Sequence, residues 1–353
     1  MMRLAEAAQL LGARRTGADT GFSAVSTDTR SLTGGELFVA LRGERFDGHA
    51  FLVAAKAAGA VAAMVDQRYA GPAPLPLIAV ADTRRGLGAL AQHWRARFSP
   101  VLVAVTGSNG KTTTKEMLAA ILRRHGGDEG VLVTAGNLNN DIGVPLTLLR
   151  LRQAHRYCAI ELGMNHKGEI AYLAGIARPT IALVNNAQRE HLECMGSVEE
   201  VATENAGVYG ALPANGVAVV NADDAHAALF RAAAGERRVI DFGLEAPAMI
   251  RGGYALKPLA SELRLRTPAG EANVALAIPG LHNVRNALAA SACAHAAGGP
   301  VPTIASGLAA FRPYTGRLQV KRAATGATLI DDSYNANPDS VRAAIDVLAA
   351  AGG

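Results

Sequence analysis

Short apolar runs alternate with amphipathic stretches along the chain. In the first 97 residues the segments ELFVAL, AVAAMVD and PLIAVAD predict strands, and HAFLVAAKAAGA and GLGALAQHWRARF predict helices. Short strands with helices between them indicate a small α/β domain over residues 1–97. The last of these helices ends at Phe98–Pro100, because proline disfavours helical geometry in the residue before it.

A second series of apolar strands begins after this break. Strands are predicted at Val101–Thr106, Tyr157–Glu161, Ile181–Asn185 and Val217–Asn221, with helical or irregular segments between them. This pattern indicates a central domain over residues 98–312, built on a parallel sheet that is covered on both faces. Polar and apolar residues alternate around a Pro-Ala-Gly turn between Glu262 and Ile278, which predicts a hairpin on the flank of the sheet.

A third α/β pattern follows the segment FRPYTGR. The final stretch, ATLIDDSYNANPDSVRAAIDVLAAAGG, predicts a strand, a loop and a helix. We interpret residues 313–353 as the first pieces of a third, Rossmann-like α/β domain that the sequence does not complete. A fragment of a longer protein is the expected explanation, since an unfinished sheet would expose apolar edges.

Composition narrows the classes of function. The chain has 353 residues, half of them apolar, three cysteines without metal-ligand spacing, and a net charge of +5 from scattered Lys and Arg. No apolar run reaches the roughly 18 residues of a membrane span, and no signal peptide precedes the first strand. We expect a cytoplasmic protein that binds anionic small molecules and neither nucleic acid nor membrane.

The segment VAVTGSNGKTTTKEML joins an apolar strand to an amphipathic helix through a glycine turn. The strict phosphate-binding pattern requires a glycine at Val105 and therefore fails. The other required parts are present, since the two glycines let backbone N–H groups turn toward phosphate, Lys111 can neutralise it, and Thr112 can bind Mg²⁺. We predict that this loop binds a nucleoside triphosphate through Thr106, Gly107, Ser108, Asn109, Gly110, Lys111, Thr112 and Thr113; the alternative is a simple turn with an exposed lysine.

Two further candidates stand at strand ends. Glu161 ends the second predicted strand, where a parallel sheet delivers its side chain to the phosphate edge and a carboxylate suits a hard cation. His191 follows the next strand and reaches the same edge. Taken alone, each residue is more often structural.

Six segments resemble the Mur ligases of peptidoglycan synthesis: TGSNGKTTTKEM, GNLNNDIGVPLTLL, AIELGMNHKGEI, NAQREHLE, GLHNVRNALAA and DDSYNANPDS. The N-terminal segment STDTRSLTGGELFVALRGERFDGHAF fits the uridine-nucleotide domain of the same family. The resemblance covers essentially the whole chain. It implies an ATP-dependent ligase that adds D-alanyl-D-alanine to UDP-N-acetylmuramoyl-tripeptide, as the last cytoplasmic Mur ligase step, and that acts as a monomer.

The resemblance also implies roles for the residues at the phosphate edge. ATP activates the peptide carboxylate as an acyl phosphate, which the dipeptide amine then attacks. Lys111 would contact the γ-phosphate, Thr112 and Glu161 the first Mg²⁺, and His191 a second Mg²⁺ that bridges to the carboxylate. The loop residues Asn137, Asn139 and Asn140 would lie near the acyl phosphate, with Asn139 taking part in catalysis, or they serve only to form turns.

The remaining carried-over residues concern the nucleotides. Asn283 and Asn286 would read adenine, although without the resemblance they suggest a helix cap. Arg317 would reach the nucleotide, and Asp332 would accept from the ribose hydroxyls, with Tyr334 and Asn335 beside it. The uridine-diphosphate pocket would comprise Ser26, Asp28, Arg30, Asp47, Gly48 and His49. Arg30 is the natural pyrophosphate partner, and a surface salt bridge is its alternative.

Two features depart from the family pattern. Most Mur ligases carry a carbamylated lysine where this chain has Asn205. Asparagine cannot form a carbamate, though its carbonyl could orient a metal-bound water, while Glu204 points about 100° away on a helix. The family also continues for roughly another 100 residues, about the length of one domain.

Three functions therefore remain open for the chain itself. The first is the dipeptide ligase, and the second is a ligase of the same fold with another amino-acid substrate. The third is a nucleotide-binding module that has lost catalysis, a possibility that Asn205 and the incomplete third domain raise. The third residue of the tripeptide, diaminopimelate or lysine, is not determined by the sequence.

Overall fold

The computed structural model describes residues 1–334 and 336–351. Its strands, in chain order, are β1 (Met2–Arg3), β2 (Arg14–Thr16), β3 (Gly21–Phe22), β4 (Ala24–Ser26), β5 (Glu36–Val39), β6 (Ala62–Asp66), β7 (Leu77–Val80), β8 (Val101–Thr106), β9 (Val131–Val133), β10 (Tyr157–Glu161), β11 (Ile181–Val184), β12 (Val217–Asn221), β13 (Arg238–Gly243), β14 (Ile250–Lys257), β15 (Ala260–Thr267), β16 (Gly270–Leu276), β17 (Gln319–Arg322) and β18 (Thr328–Asp331).

The α-helices are α1 (Leu4–Leu10), α2 (Leu52–Ala57), α3 (Thr83–Arg95), α4 (Lys111–Gly126), α5 (Gly143–Leu148), α6 (Glu169–Ala177), α7 (Leu192–Met195), α8 (Val198–Ala206), α9 (Ala227–Ala234), α10 (Leu281–Ala296), α11 (Val301–Ala310) and α12 (Pro338–Ala350). Among the described residues, no helix is both long enough and apolar enough to cross a membrane.

The first unit consists of residues 1–99 together with 141–152. Its five-stranded sheet has the order β2-β7-β6-β5-β4, parallel except for the edge strand β2. The three strands predicted from the sequence are β5, β6 and β7. We predicted residues 141–152 as part of the central domain; in the structure α5 packs on α3, and the Trp94 indole Nε1 donates to the Leu151 carbonyl oxygen at 3.2 Å.

The second unit comprises residues 100–140 and the chain from residue 153 onward. Its nine-stranded sheet has the order β16-β15-β14-β13-β12-β11-β8-β10-β9. Pairing is parallel from β9 to β14, and β14, β15 and β16 form an antiparallel meander that contains the predicted hairpin. The parallel α/β architecture predicted from the apolar runs is confirmed.

Helices cover the central strands on both faces. On one face α4, α10 and α11 pack together, and the apolar face predicted for α4 is fully buried at Met117, Leu118 and Ile121. On the other face α6 contacts β8, and α9 contacts β12. Helices α4 and α11 approach so closely that a Cβ on Gly307 would lie 2.5 Å from the Ile121 Cα. This packing fixes the position of α4, which begins directly after the glycine turn that follows β8.

The segment after residue 312 belongs to this same unit. The predicted strand, loop and helix correspond to β18, its following turn and α12. Strand β18 pairs antiparallel with β17, a strand that we did not predict. Asn337 begins α12 as its N-cap, with its side chain accepting from the backbone N–H groups of Asp339 and Ser340.

Candidate functional site

The glycine turn lies at the carboxyl edge of the parallel sheet, between β8 and α4. Gly107 has φ +128° and Gly110 has φ +78°, backbone conformations that favour glycine. A Cβ on Gly110 would lie 2.2 Å from Asn286 Oδ1. Because α4 begins directly after this turn, its first backbone N–H groups have no acceptors within the helix and offer an anion site.

The neighbouring strand end supports the turn. The Ser108 and Asn109 backbone N–H groups donate to the Asn186 carbonyl and to Asn186 Oδ1, at 3.0 and 2.8 Å. The Asn109 side chain donates to Gln188 Oε1 at 2.6 Å. The segment after β11 therefore determines the shape of the predicted phosphate loop.

Lys111 is largely buried at the start of α4. Its ammonium group donates to the carbonyl oxygens of Gly107 and Ser108, at 2.5 and 3.1 Å, and to Glu190 Oε1 at 2.7 Å. The alternative of an exposed lysine on a simple turn therefore does not describe this residue. Sequence analysis missed Glu190, although its position beside His191 after a parallel strand was an available signal.

Glu161 ends β10 with its side chain buried beside the turn. Its Oε1 accepts from Thr112 Oγ1 at 3.3 Å and from Asn139 Nδ2 at 2.8 Å. Its Oε2 is buried and has no hydrogen-bond partner among residues 1–334 and 336–351. A buried carboxylate oxygen without a partner is costly and fits a hard cation, so the residues present suit a Mg²⁺ ion at Thr112 and Glu161.

A second buried lysine lies next to Glu161. Lys115 is fully buried, donates to Glu116 Oε1 and to the Thr134 carbonyl at 2.7 and 2.8 Å, and lies 4.0 Å from Glu161 Oε2. Sequence analysis did not single out Lys115, which lies one helical turn beyond Lys111. Its charge partly balances Glu161.

The described part of the chain contains no group of three or more His, Cys, Asp or Glu side chains arranged to hold a metal ion. Mg²⁺ sites commonly use one or two carboxylates, and substrate phosphates and water complete the coordination.

His191 lies beyond β11 in a left-handed backbone conformation, with φ +48°. Its Nε2 is 4.0 Å from Glu190 Oε1, and its Nδ1 is 3.8 Å from Glu193 Oε1. The imidazole is partly exposed, so it remains accessible to a ligand at the same edge as Lys111.

The asparagines of the loop after β9 were predicted either to lie at the acyl phosphate or to form turns, and their contacts differ. Asn139 reaches Glu161, as described above. The Asn139 backbone N–H also donates to the Asn137 carbonyl at 2.7 Å, which is a turn contact. Asn140 ends this loop. The contact of Asn139 with the Glu161 carboxylate favours a role at the site for Asn139. The contact of Asn137 is one that an ordinary turn makes.

Asn283 and Asn286 belong to a chain of amides that ends at the phosphate loop. Asn283 Nδ2 donates to the Pro279 carbonyl, Asn286 Nδ2 to Asn283 Oδ1, and Asn185 Nδ2 to both Asn286 Oδ1 and the Asn109 carbonyl. The helix-cap interpretation of the two asparagines is wrong, because the N-cap of α10 is Gly280 and both asparagines lie inside the helix.

A cavity of about 470 Å³ adjoins this amide chain. Its volume is in the range of small-molecule sites. Seven residues predicted to bind the nucleotide line it, together with His282: Asn109, Gly110, Thr113, Asn283, Asn286, Arg317 and Asp332. These residues come from the glycine turn, α10 and the segment beyond residue 312, so the fold brings together three regions that are distant in sequence.

Arg317 and Asp332 enter this cavity from the last segment. The Arg317 guanidinium stacks on the Tyr334 ring at 4.0 Å, and its Nη2 lies 3.5 Å from Thr112 Oγ1. Burial lowers the pKa of Arg317 and raises the pKa of Asp332, whose Oδ1 accepts from the Leu318 backbone N–H. Asn335, predicted beside Tyr334, lies outside the described residues.

The residues predicted to bind uridine diphosphate lie in the first unit and contact one another locally. Asp28 accepts from the Arg30 backbone N–H and pairs with its guanidinium at 2.7 Å; the hydrogen bonds from Arg30 lower the pKa of Asp28 to about 2. Ser26 Oγ donates to the Asp28 carbonyl. This is the geometry of a surface salt bridge, the alternative considered above, and the pocket role stays a prediction.

Asp47, Gly48 and His49 form the second part of this predicted pocket. Asp47 accepts from the His49 backbone N–H at 3.0 Å and pairs with His49 Nδ1 at 2.5 Å, while His49 Nε2 accepts from the Asp66 backbone N–H. Both ring nitrogens of His49 therefore have protein partners. A Cβ on Gly48 would lie 2.7 Å from the Leu41 backbone, which explains the glycine.

Asn205 is buried near the end of β8. Its Oδ1 accepts from Thr106 Oγ1 at 2.6 Å, and its Nδ2 donates to the Val201 carbonyl at 3.0 Å. Glu204 points elsewhere, as predicted: its two carboxylate oxygens accept from the Gly168 and Ile170 backbone N–H groups at the start of α6. A water-orienting role for Asn205 stays a prediction.

Sequence comparisons match most of the chain to known families. The Mur ligase middle domain matches residues 105–294, and the Mur ligase family catalytic domain matches residues 21–95. The UDP-N-acetylmuramoyl-tripeptide–D-alanyl-D-alanine ligase of Escherichia coli is 44% identical over 351 residues, covering 98% of this chain and 76% of that protein. The Haemophilus influenzae protein of the same name is 41% identical, covering 97% and 74%.

Solved structures give the same result. A crystal structure of MurF from Acinetobacter baumannii superposes with a TM-score of 0.92 at 36% identity and covers 99% of this chain and 76% of that one. MurF from Thermotoga maritima in complex with ADP superposes with a TM-score of 0.80 at 27% identity, with 92% and 74% covered.

Proposed function

The chain belongs to the Mur ligase family of ATP-dependent ligases, and we propose that it joins D-alanyl-D-alanine to UDP-N-acetylmuramoyl-tripeptide in peptidoglycan precursor synthesis. The observation that carries the proposal is the convergence of Lys111, Thr112 and Glu161 at one edge of the sheet. There a buried carboxylate oxygen lacks a partner within the described chain, and the first turn of α4 offers its N–H groups.

The first step is phosphoryl transfer. A peptide carboxylate oxygen attacks the γ-phosphorus of ATP, the bond to the β-phosphate oxygen breaks, and the products are an acyl phosphate and ADP. Lys111 and the N–H groups of α4 would stabilise charge on the transferred phosphoryl oxygens. Mg²⁺, held by Thr112 and Glu161, would neutralise further charge on these oxygens.

The second step forms the amide bond. The dipeptide amine attacks the acyl carbon, the tetrahedral intermediate expels phosphate as the C–O bond to it breaks, and the departing phosphate takes up the amine proton. Asn139, held by Glu161 at 2.8 Å, would donate to the acyl-phosphate oxygens without adding charge. His191, partly exposed at the same edge, would help to hold the carboxylate through a second Mg²⁺.

Adenosine would occupy the cavity lined by Asn283, Asn286 and Asp332, with Arg317 reaching toward the phosphates. The uridine nucleotide would bind the first unit at Ser26, Asp28, Arg30, Asp47, Gly48 and His49. We also propose that the protein acts as a monomer in the cytoplasm and has no nucleic-acid partners. No observation favours the alternatives of a different amino-acid substrate or a module without catalysis, and both are outcomes of the test below.

The decisive experiment measures phosphate release by this chain with ATP, Mg²⁺, UDP-N-acetylmuramoyl-tripeptide and D-alanyl-D-alanine. We expect release to depend on both the tripeptide substrate and the dipeptide. Release with another amino acid in place of the dipeptide would favour the second ligase. Binding of ATP and uridine substrate without release under any combination would favour the non-catalytic module.

Lys111→Ala tests the role of the phosphate loop in this assay. We expect it to reduce turnover by at least about 10³-fold, because the γ-phosphate loses its cation. Uridine-substrate binding, measured by calorimetry, should be retained because its predicted residues lie in the other unit. Loss of that binding in the variant would contradict the proposed separation of the two sites.

A further inference from the structure

All three N–H donors of the Lys111 ammonium group already have acceptors. An ammonium group has three donors, and here they face the Gly107 carbonyl, the Ser108 carbonyl and Glu190 Oε1. The two carbonyls belong to the phosphate loop itself and carry no net charge. A phosphate group can therefore pair directly with Lys111 only if one of these acceptors is displaced.

Glu190 is the acceptor with a negative charge. The side chains of Lys111 and Glu190 are only 13% and 10% exposed, and the two atoms lie 2.7 Å apart. A charged pair at this distance and burial is a strong interaction. Glu190 thus occupies the position, relative to Lys111, that a terminal phosphate oxygen requires.

The other half of the Glu190 carboxylate is not engaged. Its Oε2 is buried without a hydrogen-bond partner within residues 1–334 and 336–351. The next residue, His191, has φ +48°, a conformation that is uncommon for residues other than glycine. A half-satisfied carboxylate on a strained segment is suited to exchange one partner for another.

We propose that Glu190 is a resident counter-anion of Lys111 that the terminal phosphate of a nucleoside triphosphate displaces. The proposal rests on the proposed function in taking ATP as the substrate. Displacement weakens triphosphate binding, whereas a diphosphate lacks the group that competes for Lys111. Glu190 therefore lowers the affinity for ATP relative to ADP and neutralises Lys111 again once phosphate has left the site.

Calorimetric titration of the full chain in the presence of Mg²⁺ tests this exchange. The probes are ADP and the β,γ-methylene analogue of ATP, which is not hydrolysed. In Glu190→Gln we expect the analogue to bind about tenfold more tightly than to the unchanged chain, because a charge-assisted contact no longer has to be broken. The affinity for ADP should change by less than about twofold, since ADP lacks the γ-phosphate that the proposal pairs with Lys111.

Glu199→Gln is the matched control, because it removes the same charge from an exposed position a few residues farther along the chain. Both affinities should be unchanged in this variant. An equal gain for the analogue in both variants would overturn the proposal, since it would indicate only the effect of net charge.

Two other results would also contradict the proposal. Unchanged or weaker analogue binding in Glu190→Gln would mean that Glu190 remains on Lys111 in the complex, and the proposed ligase would survive if dipeptide-dependent phosphate release persists. Failure of the unchanged chain to bind either nucleotide would contradict both the exchange and the ligase. If Glu190→Gln does not fold, Glu190→Asp keeps the charge but shortens its reach, and a smaller gain for the analogue is then expected.

Discussion

The phosphate loop of the second unit and the residues predicted to bind uridine diphosphate in the first unit differ in their polar contacts. The difference lies in the number of residues along the chain that separates the two partners of each contact. Lys111 and Glu190 are 79 residues apart, and Thr106 and Asn205 are 99 residues apart. In the first unit Asp28 contacts Arg30 and Asp47 contacts His49, each across two residues, and His49 also accepts from the Asp66 backbone N–H across 17 residues. Contacts between distant segments are made only when the fold assembles them, whereas contacts across two residues also serve an ordinary turn.

Burial differs in the same direction for the Arg30–Asp28 pair, although His49 of the first unit is itself buried. The Arg30 and Asp28 side chains are 88% and 42% exposed, while the lysine–glutamate pair of the phosphate loop is nearly buried. Exposed ion pairs contribute roughly 0–1 kcal/mol, and buried charges are costly unless they are paired. The second unit therefore provides structural evidence for a site, while the first unit provides a prediction that needs a binding measurement.

After Lys111→Ala, the largest effect is expected for a change at Glu161. In Glu161→Gln the shape and the acceptor for Thr112 and Asn139 are retained, but the charge that suits Mg²⁺ is lost. We expect dipeptide-dependent phosphate release to fall by about 10²-fold or more at saturating Mg²⁺. The measurement is the phosphate-release assay over a range of Mg²⁺ concentrations.

Glu200→Gln is the control for that experiment, because it removes the same charge from a partly exposed pair with Lys167. Activity should be retained in this variant. If both variants lose activity equally, negative charge near the sheet edge, and not the position of Glu161, would be the important property.

The next effect concerns the stability of the protein. It tests whether the burial of His282, which lines the cavity, makes the free energy of unfolding depend on pH. Burial, assisted by the nearby positive charge of Arg285 and opposed by Asp346, lowers the pKa of His282 to about 4. The unfolded chain binds this proton near pH 6.5, so between pH 6.5 and 4 the unfolded state binds more protons than the folded state. The free energy of unfolding should fall over that window, by up to about 3 kcal/mol.

Thermal unfolding between pH 7 and 4.5 measures this contribution. The decrease in Tm on acidification should be smaller in His282→Asn than in the unchanged chain. His93→Asn, at an exposed position on α3, is the control for loss of a histidine. An identical pH dependence in His282→Asn would show that His282 does not titrate in this window.

The smallest effect tests the first unit directly. In Arg30→Ala we expect the affinity for UDP-N-acetylmuramoyl-tripeptide to fall by about tenfold, because a charge-assisted contact to the pyrophosphate is lost. The Tm should hardly change, since the pair with Asp28 is exposed. Calorimetry and thermal unfolding give the two quantities.

Arg3→Ala is the matched control, because Arg3 forms a comparable exposed pair with Asp19 in the same unit. Uridine-substrate affinity should be unchanged in Arg3→Ala. If Arg30→Ala also leaves this affinity unchanged, the segment around Asp28 is only a turn held by a surface salt bridge. The phosphate loop of the second unit would then be a binding site, and this segment of the first unit would not.

Much of the fold was predictable because its signals are local. Continuous apolar runs identified β8, β10, β11 and β12, and the spacing of Met117, Leu118 and Ile121 identified the buried face of α4. In the second unit the strands β9, β13, β14 and β17 were missed. β9 and β17 are too short for periodicity to separate them from a loop, and only pairing with a neighbour makes them strands. β13 and β14 are longer, but charged residues and glycines interrupt their apolar positions.

The amino-acid sequence by itself determined the glycine turn, its lysine and the strand-end positions of Glu161 and His191, because each depends on residues adjacent in the chain. Only the tertiary structure decided that Lys111 pairs with Glu190, that Lys115 is buried beside Glu161, and that Asn185 joins the amide chain. These contacts depend on which loops meet at the edge of a parallel sheet. The order of the strands in the sheet determines which loops are adjacent, and this order cannot be read from the order of residues along the chain.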